Sequence, residues 1–273
     1  MRARLLAATI AVSMIILAPP ATAGKLALDG PLIQGGLVEG HTEPGARVTL
    51  DGRPLELTPD GVFLFGFGRD DTGPVTLVVH HPDGATDKRV LEVKRRDYRI
   101  QRINGLPPKM VTPAPEVLER IHREGAMIAE VRARDTRETW FESGFTWPVK
   151  GPISGVYGSR RVLNGEPKRP HFGLDIAAPA GAVVRAPTDG VVALAEDDLY
   201  YTGGTVMIDH GYGLTSVYSH MSAVTVTVGT HVRQGDPIGR VGATGRVTGP
   251  HLDWRVNLYK TRLDPGLLLG LAP

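Results

Sequence analysis

The stretch K-R-P-H-F-G-L-D-I-A-A-P, from Lys168 to Pro179, places His171 and Asp175 four residues apart. An imidazole and a carboxylate are two of the three side-chain types that zinc normally accepts from a protein. Pro170 fixes the approach to His171, and Gly173 lets the backbone bend between the two groups. By itself H-x-x-x-D is a weak signal in a chain with nine histidines. It gains weight from two later stretches: V-Y-S-H-M-S, which carries His220, and T-G-P-H-L-D-W, which carries His251 and Asp253.

His251, Leu252 and Asp253 read as part of a strand. Residues i and i+2 of a strand share a face, so His251 and Asp253 point the same way and Leu252 is buried behind them. With these residues in view, the region from about Phe145 to the C-terminus resembles the lysostaphin-type (LytM-like) zinc metallopeptidases, which cut peptide bonds in bacterial peptidoglycan. Their signature is H-x-x-x-D, a His in a Tyr-x-His-hydrophobic context, and H-x-H. The likeness extends to W-P-V-K-G-P-I-S-G-V-Y-G-S-R at Trp147–Arg160 and P-I-G-R-V-G-A-T-G at Pro237–Gly245.

The resemblance implies a central sheet with a groove along it and one Zn2+ at the floor. The metal would be held by His171, Asp175 and the second position of H-x-H, here Asp253. His220 and His251 would serve as general base and as stabiliser of the charged intermediate. Arg160 and Asn164, in the loop before His171, are candidates for positioning substrate carbonyls, with an ordinary loop role as the alternative.

Asp253 departs from the family pattern, which has a second His there. A carboxylate can ligate zinc, so the site survives, but its charge changes. One His and two Asp around a divalent ion sum to zero, where two His and one Asp leave a net positive charge. A more neutral, harder site acidifies its water less and discriminates less against Mn2+ or another oxygen-preferring metal. The expected function is metal-dependent endopeptidase action on peptidoglycan stem peptides or cross-links. The alternative is an inactive lysostaphin-like module that binds peptidoglycan or regulates another cell-wall hydrolase or a divisome protein. On this reading, Asp253→His keeps or raises activity.

Working outward, the 273 residues suffice for two ordinary domains. Hydrophobic content of 41% and charged content of 22% are those of a globular protein. The 34 Gly and 22 Pro favour short strands joined by tight turns. Residues 1–23 read as a signal peptide: a basic start at Arg2 and Arg4, an apolar run from Leu5 to Leu17, and Ala21-Thr22-Ala23 as cleavage site. Its removal leaves 29 basic against 29 acidic residues. That balance argues against a nucleic-acid partner, and no later segment is fit to hold the chain in a membrane. The expected location is periplasmic or extracellular. The absence of Cys excludes disulfides and a lipid-modified N-terminal cysteine.

Residues 24–98 read as a small β domain, with apolar alternation punctuated by Asp51-Gly52 and Asp83-Gly84 turns, in the manner of an immunoglobulin-like β-sandwich. His80 and His81 are expected at its surface or edge. Residues 99–144 read as a linker with one helix, from Pro115 to about Arg137, after an extended Pro-rich stretch and the basic cluster Lys94-Arg95-Arg96 at a solvated boundary. The helix would pack on the next domain or partly cover its groove. Residues 145–273 read as short antiparallel strands, including Thr215–Ser219, Val224–Val228 and His251–Asn257. The whole is mainly β. No Cys nucleophile, G-x-S-x-G elbow, P-loop or G-x-G-x-x-G is present.

Overall fold

The computed structural model describes residues 26–272, so the expected signal peptide lies outside the described residues. Seven strands come first: β1 (Leu26–Asp29), β2 (Leu37–Thr42), β3 (Arg47–Leu50), β4 (Arg53–Leu55), β5 (Val62–Gly66), β6 (Gly73–His80) and β7 (Thr86–Val93). They form two sheets, β1-β2-β5 and β4-β3-β6-β7. Alternation puts Val38, Val48, Phe63, Phe65, Leu77 and Val79 into one core between them. Asp51 has a positive φ at the β3–β4 turn, as the Asp-Gly pair anticipates. His80 is exposed as expected, but His81 is buried. It sits within 2.7 Å of Glu43 and 3.1 Å of Asp87, whose carboxylates compensate its polar ring.

The basic cluster is solvated at Lys94 and Arg95, which are exposed, but not at Arg96. Arg96 lies over the Tyr98 ring and pairs with Asp264 near the C-terminus at 2.7 Å. Arg69 is buried against the other side of this cluster, with its guanidinium 4.3 Å from the Tyr98 centroid. Aromatic faces and a buried carboxylate stabilise the guanidinium groups here better than solvent alone would.

Three elements follow: β8 (Ile100–Ile103), α1 (Pro108–Val111) and α2 (Pro115–Arg132). The strand β8 and the helical turn α1 replace the extended stretch expected from the prolines. Pro108 occupies the first turn of α1, where its missing N–H costs nothing. The long helix begins at Pro115 as expected but ends at Arg132 rather than Arg137. Tertiary bonds claim the residues beyond it. Tyr259 donates to Asp135, Thr136 donates to Asp209, and Arg137 pairs with Glu56.

After a 3-10 turn at Trp140–Ser143 come β9 (Ile153–Gly155), β10 (Arg160–Leu163), β11 (Glu166–Lys168), β12 (Leu174–Ile176), β13 (Val183–Arg185), β14 (Gly190–Leu199), β15 (Gly203–Asp209), β16 (Leu214–Val224), β17 (His231–Val232), β18 (Pro237–Val241), β19 (Leu252–Leu258), β20 (Thr261–Leu263) and α3 (Pro265–Leu268). The central sheet runs β17-β14-β15-β16-β19-β12-β9. Val224 closes β16, and the expected strand from Val224 to Val228 does not form. The N–H of Thr225 bonds to Ile238, and the chain then turns, with the Thr230 N–H bonding to Thr227.

The two faces of this sheet differ in chemistry. Leu252, Trp254 and Val256 share one face with Tyr218, Val206 and Ile208 and form the main core. Trp254 and Tyr218 are wholly buried there, so both pack rather than line a groove. The opposite face carries Asp253 and Arg255, paired in register with Ser219 and Val217. α2 packs on this second face: Met127, Ile128 and Val131 meet Leu194, Met207 and Val217. The helix packs on the sheet through these contacts, and none of its residues lines the cavity at the cluster.

Candidate metal and catalytic site

β12 and β19 are antiparallel neighbours, and their register sets Asp175 directly opposite Asp253. His171 sits four residues before Asp175, in the turn leading into β12. Ligand atoms of His171, Asp175 and Asp253 all lie within 4.8 Å of one another, and all three residues are buried. Two glycines make room. A Cβ on Gly155 would come within 2.2 Å of Asp175 Oδ2, and one on Gly173 within 2.6 Å of Asp253 Oδ1.

His220 reaches the cluster by an irregular route. Simple alternation along β16 would put it on the core face with Tyr218. The register slips between Gly204 and Val206 opposite, and His220 takes a left-handed φ of 68°. Such bulges re-aim side chains. Here the ring swings to the Asp253 side, with Nε2 4.0 Å from Asp253 Oδ2. The conformation costs on the order of 1–3 kcal/mol for a non-glycine residue. The His220 N–H bonds to the Thr202 carbonyl at 2.7 Å, which helps hold it.

His251 joins from just before β19, its Nε2 3.9 Å from Asp175 Oδ1. The rings of His220 and His251 have centroids 4.9 Å apart. In both, Nδ1 lies 2.9 Å from a backbone carbonyl, of Thr244 and Gly249 respectively. A carbonyl only accepts, so Nδ1 carries the proton and Nε2 is the atom presented to the site. Burial pushes His220 down to about 4, so its ring is neutral near pH 7 with a free lone pair on Nε2.

Each carboxylate is held by an arginine. Arg161 Nη2 donates to Asp175 Oδ2 at 2.7 Å. Arg255 forks onto Asp253, with Nε at 2.9 Å from Oδ1 and Nη2 at 2.5 Å from Oδ2. Burial would raise the Asp253 carboxyl, but the charge and hydrogen bonds of Arg255, with His171 and His220, together outweigh it and hold the group well below the usual carboxylate range. Burial likewise opposes ionisation of Asp175, and His171 with Arg161 overcomes it. Both groups are therefore carboxylates.

Of the residues expected to touch substrate, Arg160 is exposed on β10 and its N–H bonds to Arg99. Asn164 is occupied elsewhere: its Oδ1 accepts from the Leu106 N–H at 3.2 Å and its Nδ2 donates to the Leu106 carbonyl at 2.7 Å. Sequence reasoning missed Arg161 and Arg255. The alternation that pairs Asp253 with position 255 was available as a signal for the second. His210, expected to be structural, is fully buried and bonds Asp189 and Ser216.

The space in front of the cluster is small. A cavity of about 120 Å³ is lined by Asp175, His220 and His251 and also by Gln101, Ile103 and Leu106. β8 lies parallel to β10, Ile100 opposite Arg160 and Ile103 opposite Leu163. The β8 segment thus forms one wall of the site.

Comparison with known proteins places this geometry. Residues 169–265 match peptidase family M23. A solved structure described as a putative peptidase M23 from Pseudomonas aeruginosa is 30% identical, with a TM-score of 0.66 over 88% of this chain and 96% of that one. The chain belongs to peptidase family M23. This M23 chain is also 43% identical over 113 residues to the DD-carboxypeptidase/endopeptidase Mpg of Neisseria meningitidis serogroup B, covering 41% of this chain and 26% of that protein. It is 37% identical over 124 residues to the murein hydrolase activator EnvC of Escherichia coli, covering 45% of this chain and 28% of that protein. The chain thus spans little more than a quarter of the length of these curated relatives.

Peptidases of family M23 are generally zinc-dependent, and the residues here fit a metal. Both ring nitrogens of His171 and Oδ1 of Asp175 are buried without a well-directed hydrogen bond, although His171 Nε2 is 2.9 Å from that oxygen. Buried polar atoms left so are unusual outside functional sites. Asp253 Oδ2 accepts from both Nε and Nη2 of Arg255, whereas Oδ1 accepts from Nε alone and so keeps a lone pair for an ion.

Proposed function

We propose that this M23 chain is a metal-dependent endopeptidase that hydrolyses peptide bonds in peptidoglycan stem peptides or cross-links. The observation that carries the reading is the convergence of two imidazole Nε2 atoms on the His171, Asp175 and Asp253 cluster, 4.0 and 3.9 Å from its carboxylates.

His171, Asp175 and Asp253 would hold one Zn2+, or a harder divalent ion such as Mn2+. Such an ion, when bound, supplies activated water and a polarised carbonyl. His220 is the proton acceptor: its ring is neutral, its tautomer is set by Thr244, and its free lone pair faces the cluster. His251, its Nδ1–H held by Gly249, would stabilise the charge that develops on the scissile carbonyl with Nε2 also protonated as a donor. Arg160, exposed on β10, keeps a proposed contact with substrate, whereas Asn164 orders Leu106 instead.

The protein would act outside the cytoplasm, in the periplasm or beyond it, after loss of residues 1–23. Among the described residues no helix is long and apolar enough to cross a membrane. We read residues 24–98 as an immunoglobulin-like sandwich and 99–144 as a linker whose strand walls the groove and whose helix packs on the sheet.

The test is digestion of purified peptidoglycan by the protein, with and without chelator, and mass spectrometry of the products. Chelator-sensitive new amino termini support the reading, and intact polymer in the presence of added Zn2+ refutes it. One observation favours a second reading, an inactive module that regulates another cell-wall hydrolase, as the name of EnvC suggests for that protein. The cavity of about 120 Å³, walled by Gln101, Ile103 and Leu106, is too small for a peptide.

A further inference from the structure

Asp253 stands where the family carries a neutral histidine, and it brings a negative charge into a pocket that is already acidic. It is 1% exposed and sits opposite Asp175. A bare carboxylate buried beside another would be costly. Arg255 lies two residues on, on the same face of β19, and meets both oxygens at 2.9 and 2.5 Å. Its side chain is about a quarter exposed, at 27%, so the guanidinium keeps part of its hydration while its fork serves the buried carboxylate. Arg161 does not share this duty. It approaches from β10 and bonds Asp175, a position that the family pattern keeps.

The charge count is informative. One imidazole and two carboxylates around a divalent ion sum to zero. Adding Arg255 restores the single positive charge that two imidazoles and one carboxylate would leave. The fork occupies Oδ2 twice and Oδ1 once, so the carboxylate offers one free lone pair, on Oδ1, to an ion, much as an imidazole nitrogen does.

We propose that Asp253 and Arg255 act as one electroneutral ligand unit that replaces the family's histidine, with Arg255 as its positioning residue. The inference rests on the metal reading above. It reverses the expectation drawn from sequence that Asp253→His alone is benign. That substitution removes the carboxylate and strands a cation beside the ion. A unit charge a few ångströms away is worth on the order of tenfold or more in affinity.

The experiment is a double-mutant cycle on the whole protein. Zn2+ and Mn2+ dissociation constants are measured by competition with a chromogenic chelator for the wild type, Asp253→His, Arg255→Gln and the double variant. Urea melts of the metal-free proteins report folding. Asp253→His should bind Zn2+ about tenfold or more weakly, and adding Arg255→Gln should restore it. Arg255→Gln alone should narrow the preference for Zn2+ over Mn2+, because it leaves a bare carboxylate. The double variant carries neither charge, so it keeps the cycle readable if Arg255→Gln alone folds poorly. If Asp253→His binds Zn2+ as tightly as the wild type and the two changes are additive, the paired unit is wrong while the metal reading stands. If the wild type binds no Zn2+, both fall.

Discussion

Asn164 and Leu106 are joined by two hydrogen bonds, one in each direction, although 58 residues separate them. The Asn164 N–H also bonds to Ile103, and the residue adopts a φ of 49° to do so. Together these contacts fasten the β8 segment along β10, beside His220 and His251.

Unfastening it should open the site. Asn164→Gly removes the amide and tolerates the positive φ. Two net hydrogen bonds of about 1 kcal/mol each correspond to roughly thirtyfold more of the open form. Limited proteolysis between residues 99 and 112 should quicken by that order, with a parallel gain in peptidoglycan release. Unchanged cleavage kinetics would mean that Asn164 does not govern access.

The ligand and proton-transfer roles separate under mutation. Asp175→Ala should lose bound metal and activity together. His251→Ala should keep about one equivalent of metal and lose about 10²–10⁴ in rate. Elemental analysis beside peptidoglycan digestion distinguishes the two. Metal retained by Asp175→Ala would remove Asp175 from the ligand set.

Acid sensitivity should trace in part to His210. Burial lowers its pKa to about 4, against about 6.5 in the unfolded chain. The unfolded state therefore binds the extra proton between those values. Stability is full above about 6.5 and falls as pH drops toward 4, at up to about 1.4 kcal/mol per pH unit. His210→Gln should flatten this part of the profile in urea melts at pH 7, 6 and 5. A slope as steep as that of the wild type would assign the effect to other groups such as His220.

The Arg96–Asp264 pair ties the first β module to the end of the chain. Both side chains are at least nine-tenths buried, at 10% and 7% exposure, and Asp264 also accepts from the Gly266 N–H at the start of α3. Arg96→Ala leaves that carboxylate unpaired and should cost about 3–5 kcal/mol in urea unfolding. A loss below 1 kcal/mol would mean that water or Arg69 takes over.

Much of the site was legible before the fold. His171, Asp175, His251 and Asp253 declare themselves by ligand chemistry and by the two-residue period of a strand. The route of His220 was not legible, because a bulge depends on the partner strand's register and not on local propensity. β8 was hidden for a similar reason: Ile100–Ile103 becomes a strand only because β10 offers it an edge. Arg255 sat in plain alternation with Asp253, yet its role emerges only once burial makes the carboxylate need a partner. The end of α2 was misread because Asp135, Thr136 and Arg137 have distant partners that local periodicity does not register.

The facing of Asp175 and Asp253 also sets a constraint in time. The two residues are 78 positions apart in the chain, and their strands meet directly, with no local contact to prepare the encounter. Closing such a loop carries an entropic cost before any bond of the pair repays it. The cluster therefore cannot assemble before β19 has been made. A nascent chain released short of Leu252 would carry His171, Asp175 and His220 but not Asp253, and the carboxylate pair would be missing.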